Sequence, residues 1–241
     1  MRFNIEKIVA IIDIVVSKII TIVFALVLLI CFYAIYDSIR TKNEIRTFSD
    51  ASSLIESVPD DDRISELRKN ANDEIIAWIE LTGTKISYPV TQTTNNQYYL
   101  SHNFRKEYSP GGSVFVDYRN KLTRDDYAVI YGHNMDNALM FGEIHSFSNK
   151  DFFDEHRKGK IYLEDGAHEL TVLAHAIVGN DNEYIYDVDA VANGKNNELI
   201  DYIKSRASNT ALDVATPKRL LLLSTCYNHS NQRAVLLVGY N

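Results

Sequence analysis

The sequence has almost no cysteine: Cys31 and Cys226 are the only two in 241 residues. Cys31 lies inside a long apolar run and Cys226 near the C-terminus, and a thiol embedded in a bilayer does not meet the distance needed to bridge one in a soluble domain. A disulfide framework is therefore excluded, and Cys226 is the single thiol of the soluble part. Clustered positive charge is missing as well. With 25 Lys and Arg against 32 Asp and Glu, a formal net charge of −7 and no basic patch, the chain does not suit nucleic acid, whose phosphates demand concentrated Lys and Arg. The histidines lack HExxH or CxxC-type spacing, so no metal site is expected. Gly111 and Gly112 follow Pro110 as a turn, and no glycine-rich phosphate loop stands between a strand and a helix, so no cofactor is expected either. Internal repeats and low-complexity tracts are also lacking.

What is present begins with a hydrophobic run. Residues 19–36, IITIVFALVLLICFYAIY, carry no charge, and the apolar character reaches back to Ile8, interrupted by Asp13, Ser17 and Lys18. This is long enough to cross a bilayer as a helix. A cleaved signal peptide would have a shorter apolar region and a small-residue cleavage site, which Phe32, Tyr33 and Tyr36 do not offer. Arg2, Lys7 and Lys18 on one flank face Arg40, Lys42 and Arg46 on the other, so the basic residues barely decide orientation. We expect the short N-terminal flank to stay cytoplasmic and the long following domain to be translocated. The chain divides into three segments: a flank and transmembrane anchor over 1–36, a helical stalk or cap over 37–72, and a globular domain over 73–241. The middle segment is polar and free of glycine, with Leu54, Ile55, Val58, Ile64 and Leu67 at weakly helical spacing around Pro59. A solvated spacer fits the same residues.

From Ile75 onward the pattern changes to short β-like runs: IIAWI, KISYPV, SVFVD, YAVIYG, KIYLE, ELTVLAHAIV, RLLLLSTC and RAVLLVGY. Eight such runs predict a mostly β domain, a barrel or sandwich. Two inserts read as helical, around Leu139 to His156 and over 196–206, where Leu199, Ile200 and Ile203 recur at helical spacing.

Cys226 ends the run RLLLLSTC, where a strand emerges into a loop. Rigid scaffolds commonly present reactive groups there. A free cysteine is equally at home as a small buried hydrophobe, and its thiol needs a neighbouring base or cation to act. Seven histidines compete for that part, and spacing does not choose among them. His133 follows the strand YAVIYG, whereas His145 and His156 fall in a helical insert. His229, three residues beyond Cys226, points to the opposite face if the strand stays extended. Arg233 lies seven residues beyond Cys226 and begins the last run. A tight connection would return its guanidinium beside the thiol, where it favours thiolate and an oxyanion. An ordinary strand-edge arginine reads the same way.

The order of the motifs adds what spacing does not. LSTC at 223–226 with Arg233 on the next strand, YGHNM at 131–135, GTKISYPV, YYL at 98–100, GGSVFVDYRN, MFGEIHSF and DFFDEH resemble the class B sortases, in the same order and over residues 73–241. Leu222 departs from the threonine often found there. The resemblance implies an eight-stranded sortase-type β-barrel with N-terminal helices and a helical insertion at 196–206, preceded by one transmembrane helix. It implies a membrane-anchored cysteine transpeptidase of Gram-positive bacteria, single-pass, with an extracellular catalytic domain. By the same resemblance Cys226 is the nucleophile, His133 the acid/base and Arg233 the oxyanion partner; Thr225 either helps shape the substrate pocket or simply fills the strand. The implied partners are exported proteins with a C-terminal sorting signal, cleaved after threonine, and an amine of the peptidoglycan cross-bridge or its precursor. A pilin lysine as acceptor, a cysteine hydrolase releasing product to water, and a non-enzymatic binding module on a stalk are the rival readings.

Overall fold

The computed structural model describes residues 2–55, 58–135, 138–181, 183–188, 196–212, 217–227 and 231–241. The chain forms two compact units, Met1–Thr47 and Phe48–Asn241. Helix α1 (Arg2–Ile55) supplies all of the first. Its stretch Lys7–Ile39 is 33 residues long and wholly exposed. At about 1.5 Å per residue this exceeds the roughly 30 Å of a bilayer's hydrocarbon core, so by length and composition α1 can cross a membrane. The helix also runs past the apolar segment, to Ile55.

The second unit is built on a closed barrel. Its strands are β1 (Ile75–Leu81), β2 (Ser87–Thr91), β3 (Val114–Val116), β4 (Tyr127–Tyr131), β5 (Lys158–Leu163), β6 (Gly166–Gly179), β7 (Ala207–Thr210), β8 (Arg219–Tyr227) and β9 (Gln232–Tyr240). They pair in the order β5-β1-β2-β3-β4-β8-β9-β6, and β5 pairing with β6 closes the ring of eight. The eight apolar runs of the sequence supply these eight strands. The ninth, β7, has the sequence ASNT and lacks any apolar alternation, which is why pattern reading misses it. It pairs with Ala174–Ala176 of the 14-residue β6, beyond the stretch Gly166–Thr171 that faces β5, so it covers strand edge that β5 leaves bare.

Burial explains why some strands alternate and others do not. Ala128, Ile130, Leu221, Leu223, Ala234 and Leu236 point into the barrel, with Ile79, Val90 and Ile161 from the other side. The intervening Tyr127, Val129, Leu220, Leu222, Val235 and Leu237 form a second core with Ile185, Val188, Leu199 and Ile203. These last come from the crossover after β6, which holds the short helix α4 (Glu183–Tyr186) and α5 (Asn196–Arg206). Strands buried on both faces read as continuous apolar runs, and RLLLL is one. Helix α2 (Arg63–Asn70) covers the outside of β1, packing Ile64 and Leu67 with Trp78 and Tyr162. Between β4 and β5 lie a 3-10 stretch, Gly142–Ser148, and α3 (Lys150–Glu155), capped by the Asn149 side chain. Both helical inserts expected from the sequence are therefore present.

One buried group makes the unit sensitive to acid. His175 of β6 is fully buried, and neither ring nitrogen has a hydrogen-bond partner among the described residues. Burial, then the charge of His145, pushes its pKa down to about 4. The unfolded chain takes up a proton near pH 6.5 and the folded one refuses it, so stability falls as pH drops from about 6.5 towards 4 and levels off below. The loss amounts to about 3 kcal/mol at most. Denaturant midpoints of the full chain against pH should show this limb, and His175→Phe should flatten it. An unchanged limb in the variant assigns the acid sensitivity elsewhere.

Candidate active site

Strand direction decides which residues share a rim. β4 and β8 run parallel, with Tyr127 opposite Leu220 through Tyr131 opposite Ser224, so both end on the same side of the barrel. β9 returns antiparallel from β8, with Cys226 opposite Arg233. The residues after β4, the last residues of β8 and the first of β9 therefore meet. The Gly132 N–H donates to the Ser224 carbonyl at 3.1 Å and carries the pairing one step past β4. Gly132 has no room for a side chain, since a Cβ would sit 2.7 Å from the Phe141 ring.

A cavity of about 340 Å³ opens at this rim, and His133, Thr225 and Arg233 all line it. Of the site residues expected from the sequence, the structure thus brings three side chains and one backbone position together. The backbone of Cys226 is described and its side chain lies outside the described part, so its place here is one of register. His229 lies outside the described residues. Of the other histidines, His102 stacks on Tyr98 with ring centres 4.1 Å apart, His156 stacks on Phe152 at the same separation, and His168 faces Asp165. None of them, nor His145 or His175, lines the cavity.

The environment of His133 favours one tautomer of its ring. Its Nε2 is 2.9 Å from the Leu100 carbonyl oxygen. A carbonyl only accepts, so this contact calls for the hydrogen on Nε2 and leaves the lone pair of the neutral ring on Nδ1. Leu100 closes the turn Tyr98–Leu100, which also faces the cavity. The opposite wall is aromatic: Phe115 and Tyr131 have ring centres 5.3 Å apart, and Tyr131 stacks towards Tyr186 at 6.2 Å. The Ser224 and Tyr186 hydroxyls are hydrogen-bonded at 2.8 Å. Thr225 beside them differs. It is buried, and its Oγ1 has no hydrogen-bond partner among the described residues.

Asn96, Leu100, Tyr131 and Tyr186 are groove residues that sequence reasoning did not single out. Tyr131 stands two residues before His133 within YGHNM and was within reach of the motif. Asn96 and Tyr186 come from connections far away in the chain and carry no local signal.

Comparison with known proteins agrees with this architecture. Residues 79–238 match the sortase domain family. The chain is 30% identical over 168 residues to sortase B of Listeria monocytogenes, covering 68% of this chain and 67% of that one. It is 28% identical over 177 residues to sortase B of Staphylococcus aureus, covering 71% and 72%. Among solved structures, the Staphylococcus aureus sortase B–substrate complex has the same fold, with a TM-score of 0.72 at 24% identity over 84% of this chain and 98% of that one. A Streptococcus pyogenes class B sortase involved in pilus biogenesis is 31% identical, with a TM-score of 0.66 over 73% and 96%. The closed eight-stranded barrel, the ordered motifs and these likenesses agree: the chain belongs to the sortase family of cysteine transpeptidases, with class B sortases as its structural neighbours.

Proposed function

We propose that the chain cleaves a C-terminal sorting signal after threonine and transfers the exported protein, through a thioester on Cys226, to an amine of peptidoglycan. The observation that carries this reading is the meeting of three strand ends, with Cys226 opposite Arg233 and His133 beside them. The Cys226 thiolate attacks the threonine carbonyl carbon. Arg233 stabilises the oxyanion as the carbonyl becomes tetrahedral. The C–N bond then breaks, and the leaving amine takes a proton from Nδ1 of His133. In the second half Nδ1 takes a proton from the incoming amine, which attacks the thioester and expels Cys226. The hydroxyl of Thr225, buried with no hydrogen-bond partner among the described residues, is the pocket group that the bound signal satisfies.

Helix α1 would anchor the enzyme, with the N-terminus cytoplasmic, residues 37–72 as a helical stalk or cap, and the domain from residue 73 outside. The exposed apolar stretch of α1 supports the anchor. A pilin lysine as acceptor is the second reading, favoured by likeness to a class B sortase involved in pilus biogenesis.

Mass spectrometry of a threonine-containing sorting peptide incubated with the full chain tests the reaction. Cys226→Ala and His133→Ala should abolish cleavage. Arg233→Lys, which replaces a planar fork by a point charge, should lower kcat/KM at least tenfold, and Arg233→Ala about 10²-fold or more. Full cleavage by Cys226→Ala sinks the mechanism. Added oligoglycine should appear joined to the threonine; a product of unchanged mass identifies a hydrolase. Thr225→Val should raise KM several-fold while leaving stability within about 0.5 kcal/mol, because the hydroxyl makes no hydrogen bond among the described residues. Unaltered KM would place Thr225 in a packing role.

A further inference from the structure

Behind the groove, at the exit of β3, Asp117 is fully buried. Its carboxylate accepts five hydrogen bonds. Oδ1 accepts from the backbone N–H of Arg119 at 3.1 Å and from its Nε at 2.9 Å. Oδ2 accepts from Nη2 of Arg119 at 3.0 Å, Nδ2 of Asn96 at 2.8 Å and the Tyr131 hydroxyl at 3.0 Å. Burial raises the carboxyl's pKa, and the hydrogen bonds from Arg119 and Asn96 outweigh it, so Asp117 is held below the usual carboxylate range. Burial and the Asp117 charge push the Tyr131 hydroxyl far up, which keeps it a donor.

The donors are not core residues gathered for stability alone. Asn96 and Tyr131 line the cavity, and Arg119 reaches a third wall, donating from Nη2 to the Tyr186 carbonyl at 2.9 Å. Each tether leads towards His133. Tyr131 precedes it by two residues on the same strand end. The amide of Asn96 is held at both ends, since its Oδ1 accepts the Tyr118 N–H at 2.9 Å. Four residues on is Leu100, whose carbonyl holds Nε2 of His133. Between them Asn95 Oδ1 accepts the amides of Gln97 and Tyr98, and the Leu100 N–H donates to the Gln97 carbonyl. Gly112, at φ +60°, lies so close under this turn that a Cβ would come within 2.4 Å of the Tyr99 carbonyl. The turn is also held from below, where the Tyr99 carbonyl accepts the Ser113 N–H at 2.9 Å and the Tyr99 hydroxyl donates to Glu74 at 2.6 Å, and Asn96 is the tether that joins it to Asp117.

We propose that Asp117 is a positioning residue: its carboxylate holds both the strand end that carries His133 and the turn that supplies its acceptor, and so sets the tautomer of His133. This inference rests on the acid/base role proposed for His133. Isosteric Asp117→Asn keeps the volume and loses the charge. Whichever way its amide turns, the NH2 group faces donors, Asn96 and Tyr131 on one side or the N–H and Nε of Arg119 on the other. The partner exchange Asp117→Asn with Asn96→Asp restores an amide–carboxylate pair in reverse.

The test uses the full chain with ¹⁵N-labelled histidine, His133→Ala supplying the assignment, together with peptide-cleavage kinetics. In the wild type His133 should show hydrogen on Nε2 and a lone pair on Nδ1. D117N should mix both tautomers and lower kcat at least tenfold with KM changed less than threefold, and the exchange variant should recover most of both. A D117N protein with kcat within twofold of wild type and an unmixed tautomer overturns the proposal, as does lost activity with the tautomer intact. If D117N does not fold, Tyr131→Phe and Asn96→Ala, which each cut one tether and leave the Asp117–Arg119 pair, are read by the same two criteria. A wild type that cleaves no threonine peptide defeats the proposed reaction instead, while the tautomer comparison still decides the role of Asp117.

Discussion

The parallel pairing of β4 with β8 is the constraint on which the groove depends. In an antiparallel pair the end of one strand lies beside the start of the other; here both strands finish at one rim, and the return of β9 adds its first residues to it. The end of β4, about a hundred residues upstream, thereby shares one edge with the end of β8 and the start of β9 that follows it. The cost is topological, because a parallel pair needs a long crossover. Here that crossover carries β5, β6, β7 and the helices between them, and parts of it become walls of the groove.

Two-sided burial makes this rim stiff. β8 is packed against the barrel interior on one face and against Leu199, Ile203 and their neighbours on the other. A strand so enclosed has little room to shift register, since a one-residue slip would exchange its two sets of apolar contacts. The same enclosure keeps Cys226 opposite Arg233. Site groups held by strand ends rather than by loops are better placed for chemistry that depends on small distances.

Much of the barrel was legible in the sequence, because its strands are apolar runs bounded by polar turns. β7 was not, since Ala-Ser-Asn-Thr shows no face to bury. The helix over 196–206 was legible through Leu199 and Ile203, which are its buried residues. At the site, residue chemistry alone left seven histidines in contention, and only the ordered motifs singled out His133. Asn96, Tyr186 and the Asp117 carboxylate stayed hidden for a physical reason. Their parts follow from contacts across 14 to 67 residues of chain, and no local pattern records such a contact.

In the proposed reaction Cys226 carries the acyl group in a groove built by three strand ends. The most direct measurement of this is the intact mass of the full chain, quenched with acid during turnover of a threonine peptide and then digested. The expected result is a hydroxylamine-sensitive adduct, equal to the peptide up to its threonine, on the fragment holding Cys226. An adduct on another residue, or product formed with no adduct on that fragment even when the second step is slowed by withholding amine, would contradict it.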